Sequence, residues 1–173
     1  ELPPSGYGGT EAMCADLVDR LVARGNHVVL VGVGRNGTAA DFRRTADRPQ
    51  QDRMGQGIPE VVHAAALPAI LADLEVDVVH DHSLAGPLLA RGRPVPTVVT
   101  AHAPVTGDMG RYYRGLDGTV HLVAVSDAQR RLAPDLDWAA TVHNAVDVRL
   151  FPVRRDKEDF ALFLGRATPD KGI

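Results

Sequence analysis

Residues 8–33 read GGTEAMCADLVDRLVARGNHVVLVGV, and three signals in that order decide the class of fold. A glycine pair opens the stretch, after which Met13, Leu17, Leu21 and Val22 keep to one face of a helix over residues 10–24. Gly25 then supplies a residue free to adopt the left-handed conformation in which helices commonly end. Residues 27–33 follow as an almost unbroken apolar run rich in valine, the pattern of a strand buried on both faces. A helix feeding such a strand is one step of a parallel sheet covered by helices.

The same alternation continues along the chain. Apolar runs at 60–63, 77–80, 97–101, 122–125, 141–144 and 160–164 are read as strands. Two further helices are expected at 68–74, with Pro68 in the first turn, and at 126–132, with Ser126 as N-cap. Residues 34–57 are polar, rich in Arg, Asp and Gln and without a period, so they read as a long surface loop. The prediction is an α/β fold on a doubly wound parallel sheet. A glycine loop opening a helix normally follows a buried strand in such a sheet, yet seven residues precede Gly8, and a central first strand is expected to be missing.

Composition narrows the function classes. The 173 residues carry 19 Lys plus Arg against 22 Asp plus Glu, a net charge of −3, with 45% hydrophobic residues, enough for a real core. A mildly acidic chain with 5% aromatic residues has neither the basic footprint nor the stacking platform of a nucleic-acid binder, so no nucleic acid is expected as partner. Cys14 stands alone, which excludes an intramolecular disulfide and a Cys-rich zinc site and fits a reducing compartment. The longest apolar run, 28–33, is too short to cross a bilayer, and Glu1-Leu2-Pro3-Pro4 has neither region of a signal peptide. A cytoplasmic location is the expectation, with peripheral membrane contact and oligomeric state left open.

Candidate chemistry lies where strands end. The loop at Gly8 and Gly9 offers backbone N–H groups and a helix N-terminus to an anion, although a tight strand-to-helix turn accounts for the same glycines. His80-Asp81-His82 and Ala101-His102-Ala103-Pro104 follow apolar strands, the ends at which open α/β sheets bind ligands. Strand alternation puts His80 and His82 on one side with Asp81 opposite, and no further cluster has metal spacing, so no metal is expected. His80 reads as a hydrogen-bonded core histidine, and His102 as the functional one. Capping accounts for Ser126 and the helix dipole for Asp127. In His143-Asn144-Ala145-Val146-Asp147, Asn144 tolerates left-handed geometry and Asp147 can close an Asx turn. Met109, Tyr112 and Tyr113 read as packing residues. In the glycine-bracketed loop 165–172, Arg166 and Lys171 can converge on one anion or can simply be solvated.

Taken in order, these segments resemble the retaining nucleotide-sugar glycosyltransferases of family 4, which have the two-domain GT-B architecture. The Gly165-Arg166 to Lys171-Gly172 element matches most specifically, while Ala145 stands where the family usually has glycine. The resemblance implies a Rossmann-like acceptor-side domain over 1–157, with 158–173 as the first strand and phosphate-binding loop of a donor-binding domain. It implies that Gly8, Gly9, Arg166 and Lys171 contact the donor diphosphate, that His102 lies by the donor sugar as the catalytic residue, and that Asp81 and Ser126 lie toward the acceptor. It further implies a nucleoside-diphosphate sugar as donor, a small-molecule, glycan or lipid acceptor, and no cofactor or metal. A sugar-nucleotide epimerase and a non-catalytic nucleotide-sugar-binding domain are the alternatives on the same architecture.

Overall fold

Valine-rich segments too short to satisfy their own backbone groups must pair with one another, and here they pair in parallel. The computed structural model describes residues 1–6, 8–49, 53, 56–116, 118–151 and 153–165. Helix α1 (Gly9–Ala23) leads to β1 (Val29–Val33) and β2 (Asp41–Ala46), then α2 (Gly57–Ala72), β3 (Val79–Asp81), a 3₁₀ turn at Gly86–Leu89 and β4 (Thr97–Ala101). Helix α3 (Gly107–Gly115), β5 (His121–Ala124), α4 (Asp127–Leu132) and β6 (Trp138–Thr141) complete the regular structure, with a last 3₁₀ turn at Val148–Leu150. Every ladder is parallel, so the α/β fold is as expected. The strands form two sheets: β1 pairs with β2, and β3-β4-β5-β6 run side by side in that order.

Where local chemistry is strong, the elements fall where the sequence puts them. Helix α1 ends in a Schellman motif, with Gly25 at φ +86°, its N–H donating to Val22 O at 2.9 Å and that of Asn26 donating to Leu21 O at 3.1 Å. β4 matches its predicted span to the residue.

Four expectations are corrected. Residues 60–63 are not a strand but lie in α2, which begins at Gly57 and carries Pro68 in its interior rather than its first turn. The loop expected over 34–57 contains β2, a charged strand whose partner is β1. The strand expected at 141–144 is β6, which begins at Trp138 and ends at Thr141. Residues 160–164 form no strand and are exposed, because no strand among the described residues takes up their backbone groups. Residues 105–113 include most of α3.

The core is concentrated in the second sheet. Val99 and Ala101 of β4, Leu122 and Ala124 of β5, and Trp138 of β6 pack with Tyr113 and Leu116 beside α3. The Trp138 indole donates to Ala133 O at 2.9 Å, so its one polar atom is satisfied inside this core. Tyr113 is buried and Met109 and Tyr112 pack against the same cluster, the packing role expected of all three. β1, by contrast, is only half-buried along its whole length.

Candidate functional site

β3 and β4 run in register, with Asp81 opposite Val99, so the residues that leave their carboxyl ends emerge side by side. His82 Nδ1 and His102 Nε2 share a hydrogen bond of 3.0 Å across this edge. His80 lies on the same side, its ring centroid 4.1 Å from that of His82, and its Nε2 shares a 2.9 Å hydrogen bond with Thr100 Oγ1. Alternation along β3 thus places the histidines as expected, with Asp81 opposite and buried. His80 is hydrogen-bonded as read but exposed, so it is not a core residue: β3 is three residues long and leaves the ring at its margin.

Desolvation disfavours the charged form of all three imidazoles. Desolvation, reinforced by the positive charge His80 and His102 would carry, pushes His82 down from 6.5 to about 3. Burial lowers His102 as well, and His80 is lowered by desolvation and by His102 against the opposing pull of Asp81. One imidazole of the His82–His102 pair donates and the other accepts, an arrangement that only uncharged rings or a single proton between them can keep. Among the described residues none bonds to the Nδ1 of His102.

The turn after β3 is built by Asp81. Its Oδ1 accepts from Ser83 N at 2.9 Å and from Ser83 Oγ at 2.7 Å, and Ser83 Oγ accepts from Gly86 N at 3.0 Å. Gly86 has to be glycine, since a Cβ there would fall on the carboxylate of Asp81 and on Ser83 Oγ. Asp81 Oδ2 is buried without a partner among the described residues. Two helices hold the following residue: Leu84 N donates to Glu60 Oε2 of α2 at 3.0 Å, and Tyr112 Oη of α3 donates to Leu84 O at 2.5 Å.

On the other side of His102 a residue appears that sequence reasoning did not select. Ser126 caps α4 as expected, its Oγ accepting from Gln129 N at 3.1 Å. The Gln129 side chain accepts from Val125 N at 2.9 Å and donates to Ala101 O at 2.8 Å and Ala103 O at 3.1 Å, gripping the backbone on both sides of His102. Ser126-x-x-Gln129 has capping-box spacing, which was a signal for the cap. That the amide reaches β4 is visible only once β4 and β5 are neighbours.

The glycine loop lies at the start of α1. Gly8 is its N-cap, and a Cβ there would lie 2.8 Å from Pro4 Cβ and 3.0 Å from Glu11 Oε2, so packing alone calls for glycine. A Cβ on Gly9 would meet nothing within 4 Å. Thr10 and Glu11 line, together with His80, Asp81 and His82, a cavity of about 1040 Å³ that continues between β1 and β3. Glu11 already sets a carboxylate in the first turn, where the helix dipole favours negative charge. Asp147 closes its Asx turn by accepting from Arg149 N at 3.0 Å, and the Arg149 guanidinium holds its carboxyl well below the usual range. Asn144 does not take left-handed geometry, since among the described residues only glycines have positive φ. Arg166 and Lys171 lie outside the described residues.

Parallel strands that deliver polar side chains from their carboxyl ends, beside a helix opened by glycines, define a ligand-binding α/β domain. The family model of Glycosyltransferase Family 4 matches residues 7–150, and the chain belongs to that family. Membership gives it a glycosyltransferase-type function, with a sugar donor and an acceptor as substrates. A search of curated proteins finds no match to the chain. Among the described residues no helix is long and apolar enough to cross a membrane, and no group of three or more His, Cys, Asp or Glu is arranged to hold a metal ion.

Proposed function

We propose that this chain is the acceptor-side domain of a retaining glycosyltransferase that takes its sugar from a nucleoside-diphosphate donor and needs no metal. The observation that carries the reading is the His82–His102 pair at the ends of β3 and β4, in a chain matched by Glycosyltransferase Family 4. A neutral His102, held through Nε2 and by the Gln129 clasp on its backbone, turns its Nδ1 to a sugar hydroxyl as a hydrogen-bond partner and orients the ring. Transfer breaks the bond from the anomeric carbon to the diphosphate oxygen and forms one to the acceptor oxygen on the same face, and the acceptor proton passes to the departing diphosphate. The carboxylate nearest the two histidines along the chain, Asp81, is buried and holds the turn after β3 through Oδ1, which supports same-face attack over a double displacement. Negative charge builds on the leaving group, and Arg166 and Lys171 are the cations that would neutralise it.

The test is transfer of radiolabelled sugar by the enzyme containing both domains, with and without EDTA. Wild-type turnover should survive chelation, and His102→Ala should lower kcat with little change in affinity for the nucleoside diphosphate alone. Loss of activity on chelation would overturn the metal-free reading. Epimerisation of the donor without an acceptor, or binding without turnover, would overturn transfer itself. The 173-residue chain alone should not transfer sugar.

A further inference from the structure

Helix α2 turns its polar side inward. Of its 16 residues only Glu60 and His63 carry polar side chains, and both are spent on holding the helix to the fold. Glu60 Oε2 accepts from Leu84 N at 3.0 Å, and His63 Nδ1 shares a 2.8 Å hydrogen bond with Thr45 Oγ1 of β2. Ala64 and Leu67 are buried on the same side. The opposite face is exposed at positions 58, 61, 62, 65, 68, 69 and 72, the spacing of one helical stripe, and no side chain on it is polar. A helix on the surface of a domain ordinarily shows water its charged side. Ile58, Val61 and Val62 are each more than half exposed, and the 3₁₀ turn that packs beside α2 adds the exposed Leu88 and Leu89. Val62, at the edge of the stripe, also borders the cavity.

The stripe is symmetric about Ala65. Turned end over end on that residue, position 58 falls on 72, 61 on 69 and 62 on 68. Size follows the same symmetry in a complementary sense: the half before Ala65 is large and branched, with Ile58, Val61 and Val62, and the half after it is small, with Pro68, Ala69 and Ala72. A second α2 laid antiparallel across the first at Ala65 therefore sets each large side chain against a small one, at both ends alike. The small residue at the crossing lets the two axes approach to about 8 Å. Charge agrees with this register. Asp73, exposed at the C-cap, falls on position 57, the N-terminal end of the partner helix, where the dipole favours a carboxylate.

We propose that the outer face of α2 is the interface of a two-fold homodimer, in which α2 of one copy packs antiparallel on α2 of the other with Ala65 on the axis. The contact is isologous, so it closes with two copies and covers both apolar faces at once. A 16-residue helix is about 24 Å long and about 10 Å across, so this face with Leu88 and Leu89 beside it offers on the order of 500 Å² per copy, somewhat less than the about 800 Å² per partner of a standard interface. That area makes a dimer of micromolar affinity.

Sedimentation equilibrium of the complete enzyme, from low to several hundred micromolar, tests the proposal. Wild type should pass from monomer to dimer and no further. Ala65→Arg sets two like charges against each other on the axis and should weaken the dimer by roughly a hundredfold or more. Val61→Lys and Ala69→Glu should each weaken it tenfold or more by burying an unpaired charge. The double variant Val61→Lys/Ala69→Glu should recover wild-type affinity to within a few fold, because the introduced amine of one copy meets the introduced carboxylate of the other. Positions 61 and 69 are about 12 Å apart along one helix, so that recovery cannot arise within a single copy. Urea midpoints measured where all the proteins are monomeric should match, since every change lies on an exposed face. A wild type that stays monomeric throughout, or a dimer that Ala65→Arg leaves intact, would overturn the inference. So would a double variant as weak as its two parents, because the copies would then associate without this register. A monomeric wild type that binds vesicles of phosphatidylglycerol and phosphatidylcholine, with binding lost in Ala65→Arg, would overturn it in favour of a lipid surface.

Discussion

Replacing Gln129 by alanine separates the clasp on His102 from the helix cap that shares its backbone. Three contacts go: the bond from Val125 N and the two donated to Ala101 O and Ala103 O. Ala101 is fully buried, so its carbonyl is left without water as a substitute, at a cost of about 1–3 kcal/mol. Val125 and Ala103 are half-buried and can recruit water, and each loses about 0.5–1 kcal/mol. The alanine recovers a few tenths through its higher helix propensity. The expected loss is therefore about 2–5 kcal/mol, read as a lower urea midpoint at unchanged slope. Gln129→Glu is the sharper variant, since it keeps the shape and the bond from Val125 N but faces two carbonyls with a carboxylate. Its deficit relative to wild type should shrink as pH falls below the range where that carboxylate ionises, because a protonated acid can donate to one carbonyl again. In the complete enzyme both variants should lower kcat more than they raise KM. A stability within about 0.5 kcal/mol of wild type for Gln129→Glu at pH 7 would refute the clasp.

Other changes test the neighbouring features. Gly86→Ala should lose about 1–3 kcal/mol in a denaturation experiment because its Cβ has to displace Asp81 and Ser83, whereas Gly9→Ala, with open space around it, should stay within about 0.5 kcal/mol while weakening donor binding. The unfolded chain takes up a proton on His82 below about pH 6.5, whereas the folded chain refuses it until about pH 3, so stability is lost as pH falls through that window. At pH 5 the deficit from this residue is about 2 kcal/mol, and His82→Gln should remove it from the difference between urea midpoints at pH 7 and pH 5. In the complete enzyme Arg166→Ala and Lys171→Ala should each lower kcat and kcat/KM by roughly 30- to 1000-fold, and near-normal turnover in both would show that other groups stabilise the leaving diphosphate.

Much of the fold is legible in the chain because its signals are local. The apolar face of α1 with Gly25 behind it, the β-branched run of β4 and the hydroxyl of Ser126 ahead of α4 each act through neighbours within a few residues. Family-level function is legible for a related reason: the motifs are short and lie along the chain, and the family match covers residues 7–150. Tertiary structure decided the rest. Residues 60–63 have strand-like composition, yet Ala64 and Leu67 bury one face of a helix and carry the preceding turn with them. Asp41–Ala46 has no apolar run, and it is a strand only because β1 lends it a ladder. Residues 160–164 have the apolar run and no ladder, and they are not a strand. The site obeys the same division. Histidines at strand ends can be found by reading along the chain, but the bond between His82 and His102 spans 20 residues and the clasp of Gln129 on Ala101 spans 28. Those partners meet only because β3, β4 and β5 lie side by side in parallel register, a pairing that no local preference of the residues specifies.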